Sequence, residues 1–130
     1  MDAKVRVLCL TESYVVEQDP TQDENQYLSI HPIQDILTIL IYLEDSNKFS
    51  IEYKNDKTYT YTSDHRDLII SNLLDIYFRK LGIECMLTIQ ECYGGFREGV
   101  KGTLPSVDYQ DILFKRLATI EKADAQEVNK

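Results

Sequence analysis

The sequence predicts a mainly β fold with a helix behind it: a bent antiparallel sheet or barrel, capped by an amphipathic helix over about residues 64–81. Three observations carry this. The first half of the chain is dense in β-branched and aromatic side chains, which suit a half-buried pleated surface. Residues 48–53 and 58–62 alternate with a period of two. Beyond residue 64 the apolar period lengthens to about 3.6.

Residues 4–10 (KVRVLCL) are apolar on both faces except at Arg6, and Thr11, Glu12 and Ser13 supply turn chemistry before an extended pattern resumes at Tyr14, so a hairpin is expected here. The polar run 18–25 holds Pro20, which cannot donate to a ladder, and reads as a loop. A short strand follows at residues 27–30. Residues 35–43 form the most hydrophobic strand, and Phe49, Ile51 and Tyr53 share one face of the next. A tight turn at 54–57 leads to a strand that points Tyr59 and Tyr61 the same way.

The helix over 64–81 carries Leu68, Ile69, Ile70, Leu73, Leu74, Ile76, Tyr77 and Leu81 in one stripe, with Arg66, Ser71, Asn72, Asp75 and Arg79 opposite. Ser63 or Asp64 is placed to cap its first turn, and Gly82 to end it. Another strand is expected over 83–89. Residues 94–102, with four of the five glycines, read as a loop continuing to Pro105 and Ser106. A second helical pattern near Asp108 has Ile112, Leu113, Leu117 and Ile120 as its apolar residues, with a strand over 112–119 as the alternative. The expected organisation is one domain over residues 1–121 with a polar tail over 122–130.

With 130 residues and a formal net charge of −8, the chain is the size of one core and repels polyanions, which excludes nucleic acid as an expected partner. Cys9, Cys85 and Cys92 are odd in number and lack a C-x-x-C pair, so a reducing compartment is expected, with Cys9 and Cys85 as small core residues. Neither the cysteines nor His31 and His65 have metal-ligand spacing, so no metal or cofactor is expected. The glycine-rich run fails as a phosphate loop because Val100, not lysine, follows Gly99 and Leu104-Pro105 stands where a helix should begin. No nucleophile or paired-carboxylate motif is present, and a catalytic function is not expected. The candidate binding residues are Lys48, Lys54 and Lys57, for an anionic lipid surface or a protein partner; their other reading is protection of a solvated sheet edge.

Hairpins followed by one amphipathic helix suit the pleckstrin-homology-like (PH-like) fold, and specific residues carry a further resemblance. Arg6-Val7-Leu8-Cys9-Leu10-Thr11-Glu12 with Val16-Glu17 and Asp19-Pro20 resembles the "RVLxLTExxxVExDP" stretch in the N-terminal region of the large receptor-mediated-endocytosis J-domain proteins, the endosomal DnaJ-type co-chaperones. Phe49-Ser50-Ile51-Glu52-Tyr53 is similar to that family's "FTIEF" strand, and Tyr61-Thr62-Ser63 with Arg66-Asp67 to its strand-to-helix junction. Arg116-Leu117-Ala118-Thr119 is similar to a later "RFLAT" segment. The J domain itself is not in this sequence: His31-Pro32 is followed by Ile33 where a J domain has aspartate. The resemblance implies a non-catalytic PH-like interaction module of an endosomal trafficking scaffold, cytoplasmic and peripheral on endosomes. Its implied partners are sorting proteins and, through the parent protein, an Hsc70-type chaperone. A phosphoinositide-binding module is the alternative, and a small enzyme a remote one.

Overall fold

The computed structural model describes residues 4–22, 26–82, 87–93 and 99–128. Strands β1 (Val7–Leu10), β2 (Tyr14–Gln18) and β3 (Ser29–Pro32) form one antiparallel sheet in that order. A single 3-10 turn, Ile33–Asp35, leads to β4 (Ile36–Tyr42), β5 (Lys48–Tyr53) and β6 (Thr58–Thr62). Helix α1 (Arg66–Leu81), strands β7 (Thr88–Tyr93) and β8 (Gly99–Pro105) and helix α2 (Ser106–Val128) complete the chain. The second sheet has the order β6-β5-β4-β7-β8.

Strand alternation sorts this second sheet into two faces. Ile39 and Ile41 of β4 stand beside Ile51 and Phe49 of β5, and Ile89 of β7 stands beside Ile39; all are almost fully buried. Helix α1 lays Ile70, Leu73, Leu74 and Tyr77 on that face, at the spacing that aligns side chains along one stripe, and α2 adds Tyr109 and Leu113 to the same core. Each fully buried large aliphatic residue contributes about 1.5–3 kcal/mol, so this shared layer dominates stability.

The three-stranded sheet closes over the same core from the β5-β6 side. Val15 enters the core, and the His31 ring stacks on Tyr53 with centroids 4.0 Å apart and tilts against Tyr59 at 5.0 Å. The Tyr61 hydroxyl donates to Glu17 Oε1 at 2.7 Å. These contacts join the two sheets side chain to side chain, with no ladder between them.

The expected mainly β architecture, a bent sheet capped by a helix, is therefore what the chain adopts, with two differences. The sheets remain separate and do not close into a barrel. The pair β4-β7 is parallel, with Thr38 beside Thr88 and Tyr42 beside Cys92, because α1 carries the chain back across the sheet before β7 begins. The 99–105 part of the expected glycine loop is strand β8, paired from Thr88↔Pro105 to Tyr93↔Gly99 with an irregularity at Glu91/Cys92. Glycine and a terminal proline are tolerated there because β8 is an edge strand. Residues 94–98 and residues 83–86 of the expected 83–89 strand, Cys85 among them, lie outside the described residues; β7 begins at Thr88 and takes in the last two residues of that expectation.

Within α1 the polar side of the sequence pattern is partly misassigned. Arg66 and Ser71 are buried, whereas Leu68 and Leu81 are exposed. His65 occupies the cap position without a side-chain bond; the Ser63 hydroxyl instead accepts from the His65 amide at 3.0 Å, and Asp64 accepts from Asn47 at 3.1 Å. Gly82 ends the helix as expected, at φ 83° with its amide on the Phe78 carbonyl, a conformation that glycine adopts without strain. Helix α2 runs on to Val128, past residue 122 where a polar tail was expected to begin.

Candidate interaction surface

The three lysines do not form one cluster. Lys54 and Lys57 are exposed together in the β5-β6 turn, around Asp56 at φ 64°. Lys48 begins β5, at the far end of a six-residue strand and so roughly 20 Å away at about 3.3 Å per residue. Its ammonium lies 4.5 Å from the centroid of the Tyr42 ring, a cation–π contact that occupies the group within the sheet. Spacing along the sequence brought the lysines together; the length of β5 separates them.

The more informative surface is on the three-stranded sheet. Leu8, Leu10, Val15, Glu17 and His31 share the parity that faces the core, as the burial of Val15 and His31 fixes. The opposite parity lies on the other face: Val7 and Cys9 on β1, Tyr14 and Val16 on β2, and Ile30 on β3, with Cys9, Val16 and Ile30 in one cross-strand row in which Val16 is buried and the residues around it are exposed. Val7 is 40% exposed, Tyr14 45% and Ile30 47%. Both faces of this small sheet are thus apolar, and only one has a core to cover it. Cys9, expected as a core residue, is exposed for this reason. The signal was present in residues 4–10, apolar on both faces, which a one-sided sheet would not need.

The sheet also has an uncovered edge. Among the described residues strand β1 pairs with β2 alone, and clefts are lined by its Leu8 and Leu10. One, of about 380 Å³, lies between Leu8 and Leu10 and the α1 residues Ile69, Asn72, Ile76 and Arg79. A second, of about 790 Å³, shares Leu8 and Ile69 with it and extends from residues 4–6 to Tyr59 and Tyr61 of β6.

A polar cluster occupies a different place, beside the ends of β4 and β7 and the start of α1. Arg66 Nη1 donates to the Asp45 and Lys48 carbonyls at 3.1 and 3.2 Å, tying the β4-β5 turn to α1. Asp67 lies 3.6 Å from Arg66 and 3.5 Å from Arg116 of α2, near Glu91 and Tyr109 in a cleft of about 380 Å³. Burial pushes the Tyr109 hydroxyl up from the usual tyrosine value. Two guanidinium groups and two carboxylates balance one another here, which is the composition of a network that joins turn, helix and helix. Sequence reading missed it because Arg66 fell on the nominally polar side of the helix.

Among the described residues no three His, Cys, Asp or Glu side chains converge as a metal site, and no helix is long and apolar enough to cross a membrane. No family model matches this chain, and no curated protein matches it.

Proposed function

We propose that this chain is a non-catalytic interaction module of a larger scaffold. The observation that supports the reading is the outward face of the three-stranded sheet, where Val7, Tyr14 and Ile30 lie exposed around the Cys9-Val16-Ile30 row. Contiguous apolar surface of this kind on a domain that already has a filled core marks a place where another chain sits. The resemblance of the sequence to endosomal J-domain co-chaperones supplies the setting: a module on the cytoplasmic side of endosomes, working with sorting proteins and, through its parent, an Hsc70-type chaperone. No specific observation favours phosphoinositide binding. With Lys48 held at Tyr42, the Lys54-Lys57 turn offers two ammonium groups worth about 1 kcal/mol each at an anionic surface, beside Asp56 and against a net charge of −8.

The test is photo-crosslinking of the whole chain in cytosol, with benzoylphenylalanine placed at Ile30 or, as a control, at Asn55. Adducts specific to position 30, whose protein component then binds the purified chain directly, are the expected result. Equal labelling at the two positions, or none, would discard the reading.

A further inference from the structure

The β1 edge is built to accept a particular kind of segment, and its backbone says how. The Thr11 amide bonds the Tyr14 carbonyl at 2.9 Å, which makes Thr11/Tyr14 a hydrogen-bonded pair of the antiparallel ladder. Such pairs alternate, so Cys9/Val16 and Val7/Gln18 are bonded pairs as well, in the register observed. The amides and carbonyls of Leu8 and Leu10 therefore point away from β2, toward the side where no strand of the described residues pairs. Their side chains, together with Ile69 and Ile76 of α1, make the apolar floor of the cleft along that edge.

Basic groups stand at both ends of this cleft, among carboxylates that include Asp75 of its lining. Arg6 is occupied by Glu17 at 3.6 Å and Asp19 at 3.8 Å, and Arg79 by Asp75 at 3.1 Å. Lys4, just before β1, is exposed and near enough to act on the Asp19 carboxylate, and Lys80 at the other end donates to the Ser13 hydroxyl at 3.1 Å; neither is in an ion pair among the described residues. An otherwise acidic molecule thus places an exposed ammonium, in no direct ion pair among the described residues, at each end of an open strand. A second copy of the chain meets this edge poorly, because each copy brings a net charge of −8.

We propose that the β1 edge binds an extended peptide segment of a partner protein, added as a fourth strand of the small sheet, with apolar side chains at alternate positions and an acidic residue at each end. The backbone of Leu8 and Leu10 supplies the ladder, the Leu8-Leu10-Ile69-Ile76 floor takes every second side chain, and Lys4 and Lys80 meet the acidic flanks. This rests on the interaction-module reading and assigns it a site and a ligand chemistry.

The test selects a phage-displayed library of random nonapeptides against the whole chain, then follows amide hydrogen exchange with the selected peptides. The expected result is enrichment of alternating apolar sequences with Asp or Glu at both ends, and at least tenfold slower exchange of the Leu8 and Leu10 amides at saturation. Methylating the peptide backbone at one parity of positions abolishes binding while the other parity is tolerated. A Lys4→Glu/Lys80→Glu double variant weakens binding about tenfold, the sum expected for two rim ion pairs, and peptides with Lys flanks recover it. Selected peptides that leave Leu8 and Leu10 unprotected overturn the proposal, as does a library without such sequences, or protection that rises with protein concentration alone and so reports a second copy. Peptides that instead protect or shift Tyr14 and Ile30 overturn the edge site while leaving the interaction-module reading intact.

Discussion

The two sheets differ most on the sides they turn away from the shared core. In the five-stranded sheet, buried Leu40, Tyr42 and Cys92 at the centre are bordered by hydroxyls, and the Tyr42, Ser50 and Thr60 side chains bond in series at 2.9 and 2.7 Å. Thr58, Thr60 and Thr62 are exposed along its β6 margin. In the three-stranded sheet the corresponding side carries Val7, Cys9, Tyr14 and Ile30, all exposed. One sheet satisfies its own outward polar groups; the other presents apolar surface and an open strand. The contrast teaches that the large sheet with its two helices carries the stability, while the small sheet is an attachment whose composition answers to something outside the chain.

Substitutions can break or sharpen that contrast, beginning with the largest effect. Phe49→Ala, at a fully buried position of the large sheet, is expected to lower unfolding free energy by about 3–5 kcal/mol in urea titrations. A loss near 1 kcal/mol would show that the large sheet is not the stabilising half. Tyr61→Phe removes the bond to Glu17 that joins the sheets and is expected to cost about 1.5 kcal/mol, with faster amide exchange in β2 than in β4. Uniform acceleration across both strands would contradict separate stabilities.

Acidity provides a third probe. Burial, reinforced by Lys57, holds the His31 imidazole below its usual 6.5, while Asp35 and Glu17 act weakly in the other sense; Tyr53 and Tyr59 are the rings against it. A histidine whose folded value is depressed favours folding fully above 6.5, and this stability drains away as the medium acidifies through 6.5 toward the folded value, because the unfolded chain takes up the proton first. Urea midpoints measured between pH 7.5 and 5 should therefore fall for the native chain and fall less for His31→Phe, which keeps the stack on Tyr53. Identical slopes would remove His31 from the account. At the small end, Ile30→Thr on the outward face should change stability by less than about 0.5 kcal/mol while reducing partner capture, since nothing in the core touches that side chain.

Legibility in the sequence followed the range of the interactions. Strands β5 and β6 and helix α1 were readable because their periodicity is local, and Gly82 because one backbone angle decides it. Strand β8 was not, since Gly99 and Gly102 lack intrinsic preference for extended structure and become a strand only by pairing with β7. Arg66 was assigned to the wrong side of α1 because its partners, the carbonyls of Asp45 and Lys48, are tertiary. Of the candidate site, the apolar character of residues 4–10 was plain in the letters, but which alternate residues face out required the register with β3. The lysines failed as a cluster for the converse reason, that proximity in sequence along a strand is distance in space.

The parallel contact between β4 and β7 constrains how the chain assembles. Ribosomal synthesis delivers β4 long before its neighbour on that flank, so a nascent chain ending short of Thr88 holds Ile39, Leu40 and Ile41 in a strand bare on one side. Contacts so distant along the chain form slowly. Premature termination between the two strands should therefore yield insoluble product, whereas release of the chain with α2 complete should not, and the stretch most prone to misassembly is the one that ends up best hidden.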